Sequence, residues 1–279
     1  MNKRVVDTWN KVAKEYGKIG PKYWDYFGQR LIEISQLALG SKVLDVGCGT
    51  GASLFPAAKK VGDYGQVIGI DIAIGMVKAC EERRKKLHLS NVSILEMDAA
   101  ILAFNNQKFD YVVNGFGLPY LYYTDDSFAE IRRVLANKGS FCLVTWDDQD
   151  DNPWIEGLIQ KYLPPINANN TSINNNKEQN NKAILSLTDE KNIRTIFQCA
   201  GFSEITIFPE SHFFSYENKD QWWAEMNANA VRGIFDRIHA TGKHRLEQLK
   251  KEAFQGLDQY RTKEGYTFKR SVYYVIAKL

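Results

Sequence analysis

The sequence predicts an α/β fold, a mostly parallel sheet with helices on both faces. Three observations predict it. From Lys42 onward, short β-rich runs alternate with segments of helical periodicity. Those runs are mostly continuous in apolar residues, as strands covered on both faces must be. The chain also ends on two strand-like runs separated by a helical stretch instead of a further crossover, which predicts an antiparallel hairpin at one sheet edge.

Taken in order, the elements are legible from period and punctuation. Val5, Trp9, Val12, Ala13 and Tyr16, then Tyr23, Phe27, Leu31, Ile32, Ile34 and Leu37, recur at helical spacing, with a break near Gly17, Gly20 and Pro21. Residues 1–40 are therefore two helices. The alternation then runs VLDV, a helix from about residue 53, VIGIDI, a helix over 75–87, VSILEM, FDYVVN, a helix near 127–135, and SFCLVTW, so that 41–150 form one core.

Beyond Trp146 the character changes. Residues 167–181, NANNTSINNNKEQNN, hold almost no apolar side chain, and 151–188 read as a linker with a mobile Asn-rich loop. Thr188 or Asp189 then caps a helix that runs to Ala200 and stops at Gly201, and EITIFP follows as a strand. Two amphipathic helices are expected over 219–235 and 242–257, and SVYYVIAKL closes the chain as a strand. Residues 189–279 complete the same domain and carry a helical insertion at about 217–262.

Composition excludes several classes. The 279 residues are 44% hydrophobic and 25% charged, which rules out a disordered, collagen-like or membrane-spanning chain. A net charge of +3, from 36 basic and 33 acidic residues, gives no electrostatic case for nucleic acid or an anionic membrane. Cys48, Cys80, Cys142 and Cys199 are scattered without a CxxC pair, so they read as reduced thiols of a cytoplasmic protein, and no metal is expected.

The segment VLDVGCGTG (43–51) carries the chemistry. A strand that ends in a glycine loop opening a helix lets backbone approach a ligand and offers free N–H groups to its polar end. Gly47, Gly49 and Gly51 with Ala52 also fit the dinucleotide pattern GxGxxG/A, so this motif alone leaves two ligand classes open. Asp71, at the end of the next strand, suits a ribose diol in either class. Asp45, two residues before the first glycine, Asp98 in LEMDAA, and the terminal hairpin separate them.

With those residues, the chain resembles the class I S-adenosylmethionine-dependent methyltransferases, in particular the small-molecule type similar to the ubiquinone/menaquinone-biosynthesis methyltransferases. VLDVGCGTG (43–51), VIGIDIAIGMV (67–77), EMDA (96–99), FDYVVNGFGL (109–118) and RRVLANKGSFCLVTW (132–146) carry the resemblance. It implies a Rossmann-like, seven-stranded, mostly parallel sheet with helical lid insertions, and S-adenosylmethionine as cofactor. It further implies that Gly47, Cys48 and Gly49 line the methionine end, with Asp45 near its ammonium. Asp71 accepts the ribose hydroxyls, Ile72 and Met76 press on the adenine, and Asp98 with the Ala99 amide reads its edge. Asn114 and Phe116 fall beside the methionine moiety and the methyl group. The family's usual Pro-Gly-Gly before the fifth strand is replaced by Ala136-Asn137-Lys138-Gly139, where Asn tolerates the left-handed turn.

Methyl transfer from a sulfonium needs alignment and exclusion of water more than a catalytic motif. His212 and Tyr120 are the candidate catalytic groups, His212 as a base and Tyr120 as a contact facing the methyl group. Tyr122 and Tyr123 are placed with Tyr120. Tyr16, Tyr23 and Trp24, together with Trp222, Trp223 and Met226 of the insertion, form an aromatic set expected to close over the cofactor, with Tyr16 contacting it. The expected partner is a small organic acceptor methylated at oxygen, nitrogen or carbon, by a monomer or homodimer without a membrane span. Two alternatives remain, an NAD(P)-dependent oxidoreductase and a cofactor-binding interaction protein that has lost catalysis.

Overall fold

The computed structural model describes residues 3–122, 125–163 and 188–279; the Asn-rich segment 167–181 and Tyr123 lie outside the described residues. Two helices open the chain, α1 (Lys3–Val12) and α2 (Tyr23–Ser35), and the connector between them turns on Gly17 and Gly20, as expected. The core follows as β1 (Lys42–Val46), α3 (Leu54–Val61), β2 (Gln66–Asp71), α4 (Ile74–Lys86), β3 (Val92–Glu96), β4 (Phe109–Gly115), α5 (Leu118–Tyr122), α6 (Asp125–Val134) and β5 (Leu135–Trp146). Next come α7 (Asn152–Tyr162), α8 (Glu190–Cys199), β6 (Glu204–Tyr216), α9 (Lys219–Asn227), α10 (Arg232–Ala240), α11 (Lys243–Gly256), β7 (Arg261–Thr262) and β8 (Gly265–Lys278).

The strands form one sheet in the order β3-β2-β1-β4-β5-β8-β6, with the two-residue β7 paired to β8 off this path. The pairs from β3 to β5 are parallel, whereas β8 is antiparallel to both β5 and β6. The seven-stranded mixed sheet and its terminal hairpin are thus as expected, with β7 as an addition. Val43 and Leu44 show why the strands read as continuous apolar runs. Val43 packs with Phe27 of α2 and Ala57 of α3 on one face, and Leu44 with Ile131 of α6 and Phe197 of α8 on the other.

Chain order reverses between β1 and β4, so the ends of these strands and the loops after them frame a crevice, the usual ligand position in an open parallel sheet. Around it, three details depart from expectation. Residues 219–235 form two helices, because the Asn229 side chain accepts the Val231 N–H (2.8 Å) and turns the chain between α9 and α10. The left-handed residue expected before the fifth strand is Lys138 (φ 67°), not Asn137, and it lies inside β5 at the register shift against β4. The strand beginning EITIFP continues to Tyr216; β6 lies at the sheet edge, where Pro209 removes no ladder bond that the sheet needs. Asp189, rather than Thr188, caps α8 by accepting the Asn192 N–H (2.9 Å). Among the described residues, no helix is long and apolar enough to cross a membrane.

Candidate functional site

β1 ends at Val46, and the backbone then takes positive φ at Gly47 (69°), Gly49 (52°) and Gly51 (92°) before α3 begins. At Gly51 a Cβ would run into the Phe55 ring, so the turn requires glycine sterically as well as conformationally. Asp71, at the end of β2, clasps the loop: Oδ2 accepts the Gly49 N–H (3.0 Å) and Oδ1 accepts the Ala73 N–H (2.8 Å). The Cys48 N–H donates to the Ile70 carbonyl (2.9 Å), and its side chain turns inward against Cys80; that contact and burial both push the thiol up. Cys48 therefore offers backbone, not sulfur, to anything above the loop.

Asp45 is fully buried beneath the loop. Its Oδ2 accepts the Ser53 hydroxyl (2.7 Å), while Oδ1 is buried with no partner. Burial pushes this carboxyl up to about 7, opposed by the Ser53 bond and reinforced by the charge of Asp71.

The opposite wall follows β4. The Asn114 amide bridges the two strands of the crevice, donating to the Val46 carbonyl (2.6 Å) and accepting the Gly117 N–H (2.9 Å). Phe116 next to it holds φ 61°, a strained position for a bulky residue, and this aims its ring at Trp146 (4.4 Å) and Trp24 (4.9 Å).

The N-terminal helices form the roof. Gly28 of α2 approaches so closely that a Cβ would sit 2.5 Å from the Ala52 carbonyl oxygen. Tyr16 lies over Gly49, touches Trp9 (5.5 Å) and Trp24 (5.2 Å), and Trp9 in turn touches Tyr120 (6.1 Å). Tyr16 thus lies against the loop, and Tyr120 is reached from it through Trp9. Burial raises the Tyr16 hydroxyl well above its ordinary value, followed in effect by the charges of Glu225, Tyr120, Asp71 and Asp25. Asn10 accepts the Gly75 N–H (2.7 Å) and Lys11 pairs with Asp236 (2.7 Å), so α1 bridges the start of α4 and the insertion helix α10.

Met76 is 2% exposed and packs with Val12, Ala13 and Ala73, beside Trp9 and Tyr16 of the roof. Ile72, half-buried beyond Asp71, remains the apolar group at that position. Asp98 and Ala99 follow β3, and Asp98 Oδ1 accepts the Ala100 N–H (3.0 Å), closing its own turn. His212 is corrected outright: it is an exposed residue of the edge strand β6, stacked on Tyr26 (4.5 Å) and absent from the cluster around the loop. Trp222 and Trp223 pack inside the insertion with Phe235 and Leu249 and do not face the loop.

Two polar groups have no counterpart in the expectations: the indole N–H of Trp24, itself expected in the aromatic set, and the carboxyl of Glu225. The Trp24 Nε1–H is buried with no partner. Glu225 of α9 is 4% exposed and joins three elements, accepting Tyr23 Oη–H (2.6 Å), Asn229 Nδ2–H (3.0 Å) and Tyr216 Oη–H (3.3 Å). Burial raises its carboxyl, against those donors and Arg270. The only signal in the sequence is an acid set among Trp222, Trp223 and Met226. Two open recesses, one lined by Lys219, Lys250 and Phe254, include none of these residues, and Lys219 and Lys250 pair with Asp258 and Asp220.

Residues 38–201 match the family model described as a methyltransferase domain. The chain is 36% identical over 163 residues to aklanonic acid methyltransferase of Streptomyces sp. (strain C5), covering 58% of this chain and 71% of that protein. It is 32% identical over 216 residues to demethylmenaquinone methyltransferase of Staphylococcus carnosus (strain TM300), covering 73% and 87%. Among solved structures, phosphoethanolamine N-methyltransferase 2 of Haemonchus contortus, in complex with phosphomonomethylethanolamine and S-adenosylhomocysteine, shares the fold with a TM-score of 0.54 at 16% identity, over 98% of this chain and 56% of that one. The glycine loop, the strand order and these matches agree, and the chain belongs to the methyltransferase-domain family as an S-adenosylmethionine-dependent methyltransferase.

Proposed function

We propose that the crevice between β1 and β4 holds S-adenosylmethionine under the roof of α1 and α2, and that the enzyme methylates a small, largely apolar organic acceptor. The observation that carries this reading is the unpartnered Asp45 Oδ1 below a three-glycine loop. A buried acceptor atom without a donor costs about 1–3 kcal/mol, and the ammonium of the cofactor's methionine end is a donor of suitable charge. The bound cofactor supplies a methyl group on positively charged sulfur.

The chain's own residues bind, orient and dry the site. Gly47, Cys48 and Gly49 present backbone to the methionine end. Asp71, half-buried and with one lone pair on each oxygen beyond its two backbone bonds, suits the ribose hydroxyls, and Ile72 suits a face of the adenine. Asp98 and the Ala99 amide serve the adenine edge, Asn114 fixes the crevice wall, and Phe116 bounds the reacting end. Tyr16 closes the methionine end from above, and Tyr120 supports it through Trp9. The aromatic walls exclude water, which supports an apolar acceptor. The relatives that act on aklanonic acid and demethylmenaquinone support a small-molecule acceptor too. Free thiols at Cys48, Cys80, Cys142 and Cys199 support a cytoplasmic location, for a monomer or homodimer.

S-adenosylhomocysteine and 5′-methylthioadenosine, which lacks the amino-acid end, test the assignment. Wild-type protein should bind the first at least about tenfold tighter, and Asp45→Asn should remove most of that difference, a change of about 1.4 kcal/mol or more. Equal affinities in the wild type would remove Asp45 from the ligand.

A further inference from the structure

The roof encloses a second feature, beyond the loop as seen from Gly49. Tyr23, Trp24, Phe116 and Trp146 form a continuous aromatic wall, with ring separations of 4.7 Å for Tyr23–Trp24, 5.4 Å for Trp24–Trp146 and 6.0 Å for Tyr23–Trp146. Two polar groups interrupt it. Trp24 Nε1–H is a buried donor with nothing to donate to. Glu225 is a buried carboxylate held by neutral donors alone; Arg270, the cation whose charge reaches it, is committed to Asp151 through bonds of 2.6 and 3.2 Å. Tyr16 stands between this pair and the loop, over Gly49 on one side and under the influence of the Glu225 charge on the other.

A carboxylate used only as a strut between α2, β6 and α9 is an expensive choice, because an uncompensated buried charge costs more than an amide making comparable hydrogen bonds. An acid whose three neutral donors leave one of its acceptor positions open, and a partnerless indole N–H, together suit a ligand whose oxygen gives one hydrogen bond and receives another.

We propose that Glu225 and Trp24 are the acceptor-recognition pair of this enzyme, reading the hydroxyl of an aromatic acceptor that stacks among Tyr23, Phe116 and Trp146. The inference rests on the crevice being the methyl-transfer site. The hydroxyl donates to the Glu225 carboxylate and accepts from Trp24 Nε1–H. As its oxygen bonds to the methyl carbon, the carbon–sulfur bond breaks with its electron pair going to sulfur, and the hydroxyl proton passes to Glu225. Glu225 therefore takes the part for which His212, exposed on β6, is misplaced.

The test is calorimetric binding of 2-naphthol and of naphthalene to full-length protein saturated with S-adenosylhomocysteine. Wild-type protein should prefer 2-naphthol by about tenfold or more, the scale of a hydrogen bond to a charged group. Glu225→Gln and, independently, Trp24→Phe should each lower that preference while leaving naphthalene affinity in place. A purely structural role for Glu225 would weaken both ligands together, and that result overturns the proposal, as does a wild-type protein that ignores the hydroxyl or binds neither compound. Failure to bind S-adenosylhomocysteine at all would instead overturn the assignment of the crevice. Trp24→Phe keeps the aromatic wall, so it decides the matter even if Glu225→Gln does not fold.

Discussion

Asp45 is the residue whose ionisation the account leans on most. Its carboxyl is pushed up to about 7 by burial, so in the free protein the folded state holds the proton to higher pH than the unfolded state does. The sign follows from that order. As pH rises from the ordinary carboxylate range toward about 7, the unfolded chain ionises first, and this group makes the free protein progressively less stable. An ammonium ligand favours the ionised form, so binding offsets the penalty and must strengthen over the same interval. The affinity for S-adenosylhomocysteine should rise by up to about tenfold per pH unit below neutrality and level off above it, and Asp45→Asn should flatten the profile. A wild-type profile already flat below about 7 would show that Asp45 ionisation is not linked to the ligand. Residue identity was the most readable layer for backbone-driven features: Gly47, Gly49 and Gly51 were legible because only glycine takes those φ values freely. Glu225 and the Trp24 indole were not, because their roles depend on side chains from α2, β6 and α9 meeting across long sequence separations.

At the scale of elements, the contact between α2 and the loop is decided by one missing methyl group. Helix propensity alone favours Gly28→Ala by up to about 1 kcal/mol. The added Cβ, however, would lie 2.5 Å from the Ala52 carbonyl oxygen, a backbone atom that cannot rotate away. The steric term wins, at about 1–3 kcal/mol of destabilisation. Gly28→Ala should therefore lower the melting temperature and weaken S-adenosylhomocysteine together, since the helix and the loop must part. A melting temperature at or above that of the wild type would contradict the close packing of α2 on the loop. The same layer shows where pattern reading ends. The parallel strands and α3, α4 and α6 followed from period and length. The split between α9 and α10 did not, because it depends on the Asn229 side chain taking a backbone bond. The left-handed residue is Lys138 inside β5, where propensity pointed to Asn137, because it falls at the register shift of β5 against β4.

At the scale of the molecule, the parallel strand–helix alternation and the terminal hairpin were legible because strand and helix periods repeat many times and reinforce one another, whereas the sheet order and the reversal between β1 and β4 had no signal in the alternation. The roof was half legible. The aromatic spacing of the N-terminal helices predicted packing, but which side chains face the crevice depended on α1 docking against both α4 and α10, a three-way contact with no local signature. His212 was misassigned for the same reason, since an imidazole in an aromatic strand reads alike on either face of a sheet edge. The central claim is that the glycine loop serves S-adenosylmethionine and not a nicotinamide dinucleotide, although its spacing fits both. Calorimetric titration of the wild-type protein with S-adenosylhomocysteine and, in parallel, with NADH tests this most directly. S-adenosylhomocysteine should bind saturably and one-to-one in the micromolar range, about −8 kcal/mol, and NADH should give no heat of binding. Saturable binding of NADH with none of S-adenosylhomocysteine would contradict it.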